Sequence, residues 1–341
     1  MSSNISIGMK IAFFEIEDWE KDYIESKLKN HELYFFKEPL TAENVSKIKD
    51  IEIISVFINS PLTKEVFNKL PKLSMITTRS TGFDHIDVAT CKKLGKVVVC
   101  NVPHYGTHTV AEHTFALILG LSRKLYLSLE RTKHGEFNHN HLTGFDLYDK
   151  TIGIVGFGDI GSSVMNIAKG FGMHVVAYSH HPDEKIARKL SITFMSLNEL
   201  LKVSDIITLH VPYAKETHHI INKRNIKKFK KGSLLINTAR GGLVETEAII
   251  YGLEKGILQG VGMDVLEEEN IIEEEKEILT KHFVKSSELR TLYLDHILMS
   301  DERVIITPHN AFNSIEALHI ILDVTIENIL DFIQHKPQNM V

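Results

Sequence analysis

Apolar and polar positions alternate along the chain in a regular series of short apolar runs and longer stretches of helical periodicity. Over residues 9–100 the runs fall at Lys10–Ile16, Leu33–Phe36, Ile53–Phe57, Leu73–Thr77 and Val97–Cys100. Helical patterns such as Glu20–Lys29, Thr63–Leu70 and Val88–Leu94 lie between them. Continuous apolar runs are the mark of strands buried on both faces, and their alternation with helices predicts a parallel sheet covered on both sides. A second series starts at Thr151, with strands predicted near 152–156, 174–178, 205–211, 233–237, 259–265 and 303–307. The linker Asn101–Gly106, marked by Pro103 and Gly106, and one long helical pattern from about Thr109 to Lys133 join the two series. A last pattern, Phe312–Phe332, has apolar residues at 315, 318, 322, 326 and 329 and no strand after it. It is expected to pack back on the first sheet. The expected fold class is therefore α/β, with two doubly wound parallel-sheet domains: residues 1–103 plus 309–341, discontinuous, and residues 104–308.

The stretch Thr151–Gly161 opens the second series. Its apolar run, Ile152–Val155, is followed at once by Gly156-x-Gly158-x-x-Gly161, then by a helical pattern (Val164, Ile167, Ala168, Phe171) and a second run, Val175–Tyr178. Glycines at this spacing allow a tight turn, close approach of backbone N–H groups to a pyrophosphate, and close helix–strand packing. The pyrophosphate then faces the positive end of the helix. A glycine-rich turn alone says little; the strand–turn–helix–strand setting favours dinucleotide binding. Further upstream, Arg79-Ser80-Thr81-Gly82-Phe83-Asp84 follows a strand at the sheet edge where ligands bind in open α/β folds, and reads equally well as a ligand loop or an ordinary connection.

Bulk properties narrow the functional classes. The 341 residues suit two domains, and 43% hydrophobic with 24% charged residues is ordinary for a globular chain. A net charge of −5 without a long basic tract gives no reason to expect nucleic acid or an anionic membrane as partner. Cys91 and Cys100 make no disulfide framework and suit the cytoplasm, and the N-terminus shows no signal-peptide pattern. The most apolar helix candidate, Val110–Leu121, is interrupted by Glu112 and His113 and is too short to cross a bilayer. His139 and His141, near His134, form a His-x-His pair with no acidic or cysteine partner nearby, so no metal is expected. The acidic cluster Glu267–Glu269 and Glu273–Glu275 reads as a solvated face, Glu269 excepted.

Chemistry-bearing groups recur at predicted C-terminal strand ends of the second domain. Arg240 ends Asn237-Thr238-Ala239-Arg240 and is followed by Gly241-Gly242; Asp264 and Glu269 follow the run from Gly260; His309 follows Thr307-Pro308. A guanidinium, a carboxylate and an imidazole at the sheet edge expected to bind the dinucleotide form a candidate reacting set, although each alone has a structural explanation.

These segments together resemble the D-isomer-specific 2-hydroxyacid dehydrogenases. The resemblance runs through Arg79–Asp87, Asn101–His113, Gly153–Gly161, Asp205–Pro212, Asn237–Val244, Gly262–Val265 and Thr307–Ala311. It is closest to the D-lactate dehydrogenase branch through Val102–Tyr105, His210-Val211-Pro212-Tyr213 with Glu216–His219, and the long insertion between Glu269 and Thr307. It implies a Rossmann dinucleotide-binding domain inserted in a flavodoxin-like substrate domain. It also implies that Arg240 holds the substrate carboxylate and carbonyl oxygen, that His309 is the general acid/base, and that Glu269 raises the imidazole's proton affinity. Ser80, Thr81 and Gly82 are implied to bind the carboxylate and Tyr105 to close the pocket. Thr109, Thr238, Ala239 and Asp264 are implied to contact the nicotinamide half. Asp159, Ile160, Val211, Pro212 and Thr217, with Gly156, Gly158 and Gly161, are implied to line the rest of the dinucleotide.

One position departs from the family. NAD-preferring members carry an acidic residue after the second strand, which binds the ribose 2′-hydroxyl; here Ser179 stands in its place, followed by His180 and His181. NAD is the expected cofactor, since no arginine marks a phosphate site, with NADP as the alternative. The expected activity is reversible reduction of a short 2-oxoacid, pyruvate to D-lactate foremost. The alternatives are an NADPH-dependent glyoxylate or hydroxypyruvate reductase and, in another class, a dinucleotide-sensing interaction protein resembling the C-terminal-binding corepressors. The Thr109–Lys133 helix matches the element such enzymes use to dimerise, so a homodimer is expected.

Overall fold

A computed structural model describes residues 8–95, 97–267 and 286–341. The chain divides into two compact units, one running up to Tyr105 and resuming at Ser314–Val341, the other spanning Gly106–Asn313. The crossings fall at 105/106 and 313/314 rather than at 103/104 and 308/309. The physical reason at the second crossing is local: backbone N–H groups of His309, Asn310 and Ala311 all bond to Asp264, which keeps this turn with the second unit.

The first unit is built on five parallel strands, β1 (Lys10–Phe13), β2 (Glu32–Phe35), β3 (Ile53–Val56), β4 (Met75–Thr78) and β5 (Val98–Cys100). Their order, β2-β1-β3-β4-β5, is the flavodoxin-like arrangement. Helices α1 (Asp18–Lys27), α2 (Lys64–Asn68) and α3 (Val88–Leu94) connect them. The predicted last helix, α11 (Ile315–Ile333), starts three residues later than its apolar pattern because the Ser314 side chain caps the Ala317 N–H at 3.2 Å. It does belong to this unit. Leu322, Ile326 and Ile329 are buried among Ile11, Phe13, Ile24, Ile53 and Met75 on one face of the sheet. At about 1.5–3 kcal/mol for each such side chain, this helix is an integral layer rather than an appendage. The opposite face is covered by Val66, Phe67 and Cys91 of α2 and α3, with Val45 and Ile48 of a 3-10 turn.

The second unit holds seven parallel strands: β6 (Thr151–Val155), β7 (His174–Tyr178), β8 (Thr193–Phe194), β9 (Ile206–Leu209), β10 (Ser233–Asn237), β11 (Leu258–Met263) and β12 (Val304–Ile306). The order β12-β11-β10-β9-β6-β7-β8 is the Rossmann pattern extended by one strand. Helices α4 (Thr107–Ser122) and α6 (Asp159–Gly170) cover one face, while α8 (Leu197–Val203), α9 (Thr246–Glu254) and α10 (Ser286–Ser300) cover the other. The two-residue β8 and α10 are absent from the sequence reading. A two-residue strand carries no periodicity, and α10 lies in the insertion whose length alone was informative.

The long helix expected over Thr109–Lys133 is a correction. It is two helices, α4 and α5 (Leu125–Lys133), separated at Lys124, whose φ of 50° is left-handed. The break is tertiary in origin: the Ser122 carbonyl accepts the Phe145 N–H at 2.9 Å instead of continuing the helix. Gly144 makes this approach possible, since a Cβ there would lie 2.1 Å from the Ser122 oxygen. No described helix is long and apolar enough to cross a membrane. Both cysteines are buried and free.

Candidate active site

In the second unit the strand order reverses between β6 and β9, which opens a crevice at their C-terminal ends. The three fingerprint glycines fit distinct demands there. Gly156 has φ +100°, and a Cβ on it would lie 2.6 Å from the His210 carbonyl at the end of β9. Gly161 packs α6 onto the strand: its Cβ would meet the Gly156 oxygen at 2.3 Å. Gly158, by contrast, faces open space, with no atom within 4 Å of a Cβ, and caps α6 without any side-chain hydrogen bond. A tight turn, an unobstructed backbone and a helix N-terminus beginning at Asp159 and Ile160 together suit a pyrophosphate. Phe157, between the first two glycines, packs edge-on against Phe194 of β8.

Facing this turn, the segment after β9 is self-braced. The Thr217 hydroxyl accepts from the Ala214 N–H at 2.8 Å and lies 2.7 Å from the Pro212 carbonyl oxygen, while Val211 is half-buried. His210 bonds the Thr208 hydroxyl at 2.8 Å, and its surroundings push the imidazole down to about 3, so it is neutral at any working pH although an edge reaches solvent. At the end of β7 the half-buried Ser179 accepts the His181 N–H at 3.3 Å. The nearby Asp183 carboxylate caps the Lys185 and Ile186 N–H groups of α7 (Glu184–Leu190), and His180 and His181 are exposed.

Arg240, Asp264 and His309 follow three neighbouring strand ends, those of β10, β11 and β12. Asn237 closes β10 fully buried; its side chain accepts from the Ala239 N–H at 3.1 Å and donates to the Arg240 carbonyl at 2.9 Å, shaping the turn that presents Arg240. Thr238 reaches Thr114 of α4 at 3.1 Å. The Asp264 N–H donates to the Asn237 carbonyl at 2.9 Å, and the His309 N–H donates to the Asp264 carbonyl at 2.9 Å. Asp264 thus links the ends of β10 and β12, placing Arg240 and His309 on either side of β11.

The Asp264 carboxylate is itself committed. It accepts from the Thr307 hydroxyl and from the Asn310 and Ala311 N–H groups, both at 2.8 Å, and lies 3.4 Å from His113 Nε2. Burial acts to raise its pKa, but these hydrogen bonds outweigh it and hold the group below the usual carboxylate range. His309 is half-buried with φ 48°, a left-handed position that is costly for a residue with a side chain and is held here by this network. Thr109 lies in the first turn of α4. Glu269 lies outside the described residues.

The remaining implied substrate residues belong to the first unit. Ser80 is buried at the end of β4, its hydroxyl donating to the Gly82 carbonyl at 2.6 Å, and the Thr81 hydroxyl donates to the Val102 carbonyl at 2.8 Å. Tyr105 is half-buried at the end of that unit's first segment. Among the described residues no group of His, Cys, Asp and Glu could hold a metal ion.

Sequence reading passed over Asn237 and His113 as positioning residues. A polar residue closing a fully apolar run, and a histidine inside an apolar helix, were the available signals. Glu267 is a correction: it is not part of a solvated face, being bonded to His219 at 2.5 Å and to the Thr246 hydroxyl at 2.8 Å.

Comparison with known proteins identifies the family. Residues 115–311 match the family model for the NAD-binding domain of D-isomer specific 2-hydroxyacid dehydrogenases. A 2-hydroxyacid dehydrogenase homolog of Zymomonas mobilis is 36% identical over 328 residues, 95% of this chain and 96% of that protein. A glyoxylate reductase of Pyrococcus furiosus is 31% identical, covering 96% of this chain and 88% of its own. Among solved structures, D-lactate dehydrogenase of Aquifex aeolicus, complexed with NAD and lactic acid, superimposes with a TM-score of 0.85 at 36% identity, covering 97% of this chain and 98% of that one.

Proposed function

The chain belongs to the D-isomer-specific 2-hydroxyacid dehydrogenases, oxidoreductases whose NAD-binding domain forms its second unit, and from that premise we propose that it reversibly interconverts pyruvate and D-lactate. The observation that carries this reading is the tie through Asp264 between the strand ends bearing Arg240 and His309. The likeness to the Aquifex enzyme, 36% identical over nearly the whole chain, supports lactate.

When bound, the dinucleotide supplies a hydride for carbon 2 of the oxoacid. Arg240 holds the substrate carboxylate through its planar fork of donors and polarises the carbonyl. His309 gives its proton to the carbonyl oxygen as the hydride arrives, and takes it back in the oxidative direction. Glu269 is the carboxylate that the family resemblance pairs with His309 in this scheme. Asp264, with its carboxylate already committed, holds the His309 turn in place rather than shuttling a proton. Gly156, Gly158, Asp159, Ile160 and Gly161 cradle the pyrophosphate, Val211, Pro212 and Thr217 face the adenosine half, and Thr109, Thr238 and Ala239 face the nicotinamide half. Ser80, Thr81 and Gly82 contribute backbone donors to the carboxylate, and Tyr105 shapes the pocket.

A second reading, NADPH-dependent reduction of glyoxylate or hydroxypyruvate, is favoured by the serine at the end of β7 and by the likeness to a glyoxylate reductase. NAD remains the preferred cofactor, because Ser179–Pro182 contains no arginine. The interaction-protein alternative is supported by no observation above. Initial rates on a panel from glyoxylate and pyruvate to branched and aromatic 2-oxoacids, with NADH and NADPH side by side, decide among these readings. Fastest turnover of pyruvate with NADH is expected; fastest turnover of glyoxylate or hydroxypyruvate with NADPH would select the second reading.

The partner is a second copy of the chain. α5 buries none of its residues and exposes Leu125, Tyr126 and Leu129 by 49, 55 and 58%. A groove of about 580 Å³ lined by Phe115, Leu119 and Ile167 opens between α4 and α6 in the same unit. A dimeric mass by light scattering is expected, and a monomeric mass contradicts it.

A further inference from the structure

Two features singled out in the sequence remain unused by this mechanism: the His218-His219 pair and Glu267, the first residue of the acidic run. Although 48 positions apart, they meet. His219 Nε2 lies 2.5 Å from Glu267 Oε1, and the other carboxylate oxygen accepts from the Thr246 N–H at 3.1 Å and its hydroxyl at 2.8 Å. The two side chains are only 29 and 23% exposed, so this hydrogen bond lies largely away from competing water.

The segments they join enclose the turn that presents Arg240. On one side, the His219 N–H donates to the Gly242 carbonyl at 2.9 Å and the Ile221 N–H to the Leu243 carbonyl at 3.1 Å. On the other, Gly241 lies directly on Leu266–Glu267: a Cβ there would fall 1.8 Å from the Leu266 oxygen. Gly242 abuts the Tyr213 ring, where a Cβ would fall 2.7 Å from a ring carbon. Tyr213 bonds His218 at 3.2 Å, and His218 stacks on His219 at 3.8 Å. His219 itself has φ 49°, a left-handed conformation that persists only where surrounding contacts enforce it.

We propose that Glu267 and His219 form a clamp that positions the Arg240 turn, making both residues determinants of 2-oxoacid affinity. The inference rests on Arg240 holding the substrate carboxylate. A guanidinium recognises a carboxylate through directional paired hydrogen bonds, so a displaced turn loses that binding even with every substrate-touching residue intact. Thr238 and Ala239 share this turn, but the fingerprint glycines that cradle the pyrophosphate lie on another loop, so dinucleotide affinity changes far less than oxoacid affinity.

The test uses the full-length protein and the 2-oxoacid it turns over fastest. Glu267→Gln, His219→Ala, His219→Gln and Arg240→Lys are compared by steady-state kinetics, NADH fluorescence titration and thermal melting. The expected result for Glu267→Gln and His219→Ala is a roughly tenfold rise in KM for the oxoacid, with NADH affinity held within about twofold. His219→Gln, which keeps a donor toward Glu267, recovers most of the loss. Unchanged oxoacid KM in Glu267→Gln and His219→Ala, alongside a raised KM in Arg240→Lys, overturns the clamp alone. So does a parallel loss of oxoacid affinity, NADH affinity and melting temperature, which marks a general brace. An unchanged KM in Arg240→Lys removes the reading of Arg240, and the clamp with it.

Discussion

Each of the two sheets reverses its strand order once, and the crevices at the two reversals are filled in opposite ways. In the first unit the reversal lies between β1 and β3, and side chains plug it. Arg79, 2% exposed, donates to the Phe14 and Glu15 carbonyls at 2.6 and 2.7 Å and to the Ser55 hydroxyl at 3.0 Å. Burial lowers the pKa of this guanidinium, and the neighbouring Glu20 and Glu15 partly restore it. The Glu15 carboxylate, from a left-handed residue, takes up the Phe57 and Asn59 N–H groups at 3.0 and 2.9 Å and the Ser60 hydroxyl at 2.5 Å. In the second unit the reversal lies between β6 and β9, where glycine removes side chains and the histidine at the strand end is neutral. Topology therefore nominates two ligand crevices, and side chains decide which one is used.

The contrast can be broken at either end. The largest effect is expected from Arg79→Met, which leaves buried acceptors without their donor. A loss of about 3–5 kcal/mol in urea unfolding is predicted, with NADH affinity of the folded protein unchanged. A loss below about 1 kcal/mol would show that the plug is not what holds these strand ends. Gly158→Ala is the counterpart. Because its new methyl meets no protein atom, stability should change by less than about 1 kcal/mol. NADH affinity should nevertheless fall roughly tenfold, since the methyl stands where backbone meets pyrophosphate. Equal NADH affinity in the two proteins would remove the pyrophosphate from this turn.

Ser179→Asp sharpens the second crevice further. A carboxylate at the end of β7 repels a 2′-phosphate and bonds a 2′-hydroxyl, so the NADH-to-NADPH ratio of kcat/KM should rise roughly tenfold. An unchanged ratio would mean that the adenosine ribose lies elsewhere. The last prediction concerns acid stability. Folding keeps His210 neutral down to about 3, whereas the unfolded chain protonates it near 6.5. Its contribution is complete above 6.5 and drains away as the pH falls toward about 3. His210→Asn should flatten the stability profile in that window; an identical profile would contradict a neutral imidazole.

What the sequence discloses follows from how locally each feature is encoded. Central strands such as Ile206–Leu209 are buried on both faces, so they appear as unbroken apolar runs. The glycine fingerprint is equally local, because turn, approach and packing are all set within six positions. The break at Lys124 is not legible, since it depends on Gly144 and Phe145 arriving from a later loop. The Arg79 plug needs three strand ends to converge, and the Glu267–His219 contact joins segments with no common pattern. Arg240 and His309 were legible as residues through the family resemblance, but the role of Asp264 in tying their strands together emerges only from its hydrogen bonds.

The most direct test of the central claim is the initial rate of pyruvate reduction by NADH in wild type, His309→Ala and Arg240→Ala, each checked for an unaltered fold and intact NADH binding. Loss of the proton donor, or of the group that binds and polarises the substrate, should each lower kcat/KM by about 10²–10⁴-fold. Wild-type rates in both variants would contradict the account.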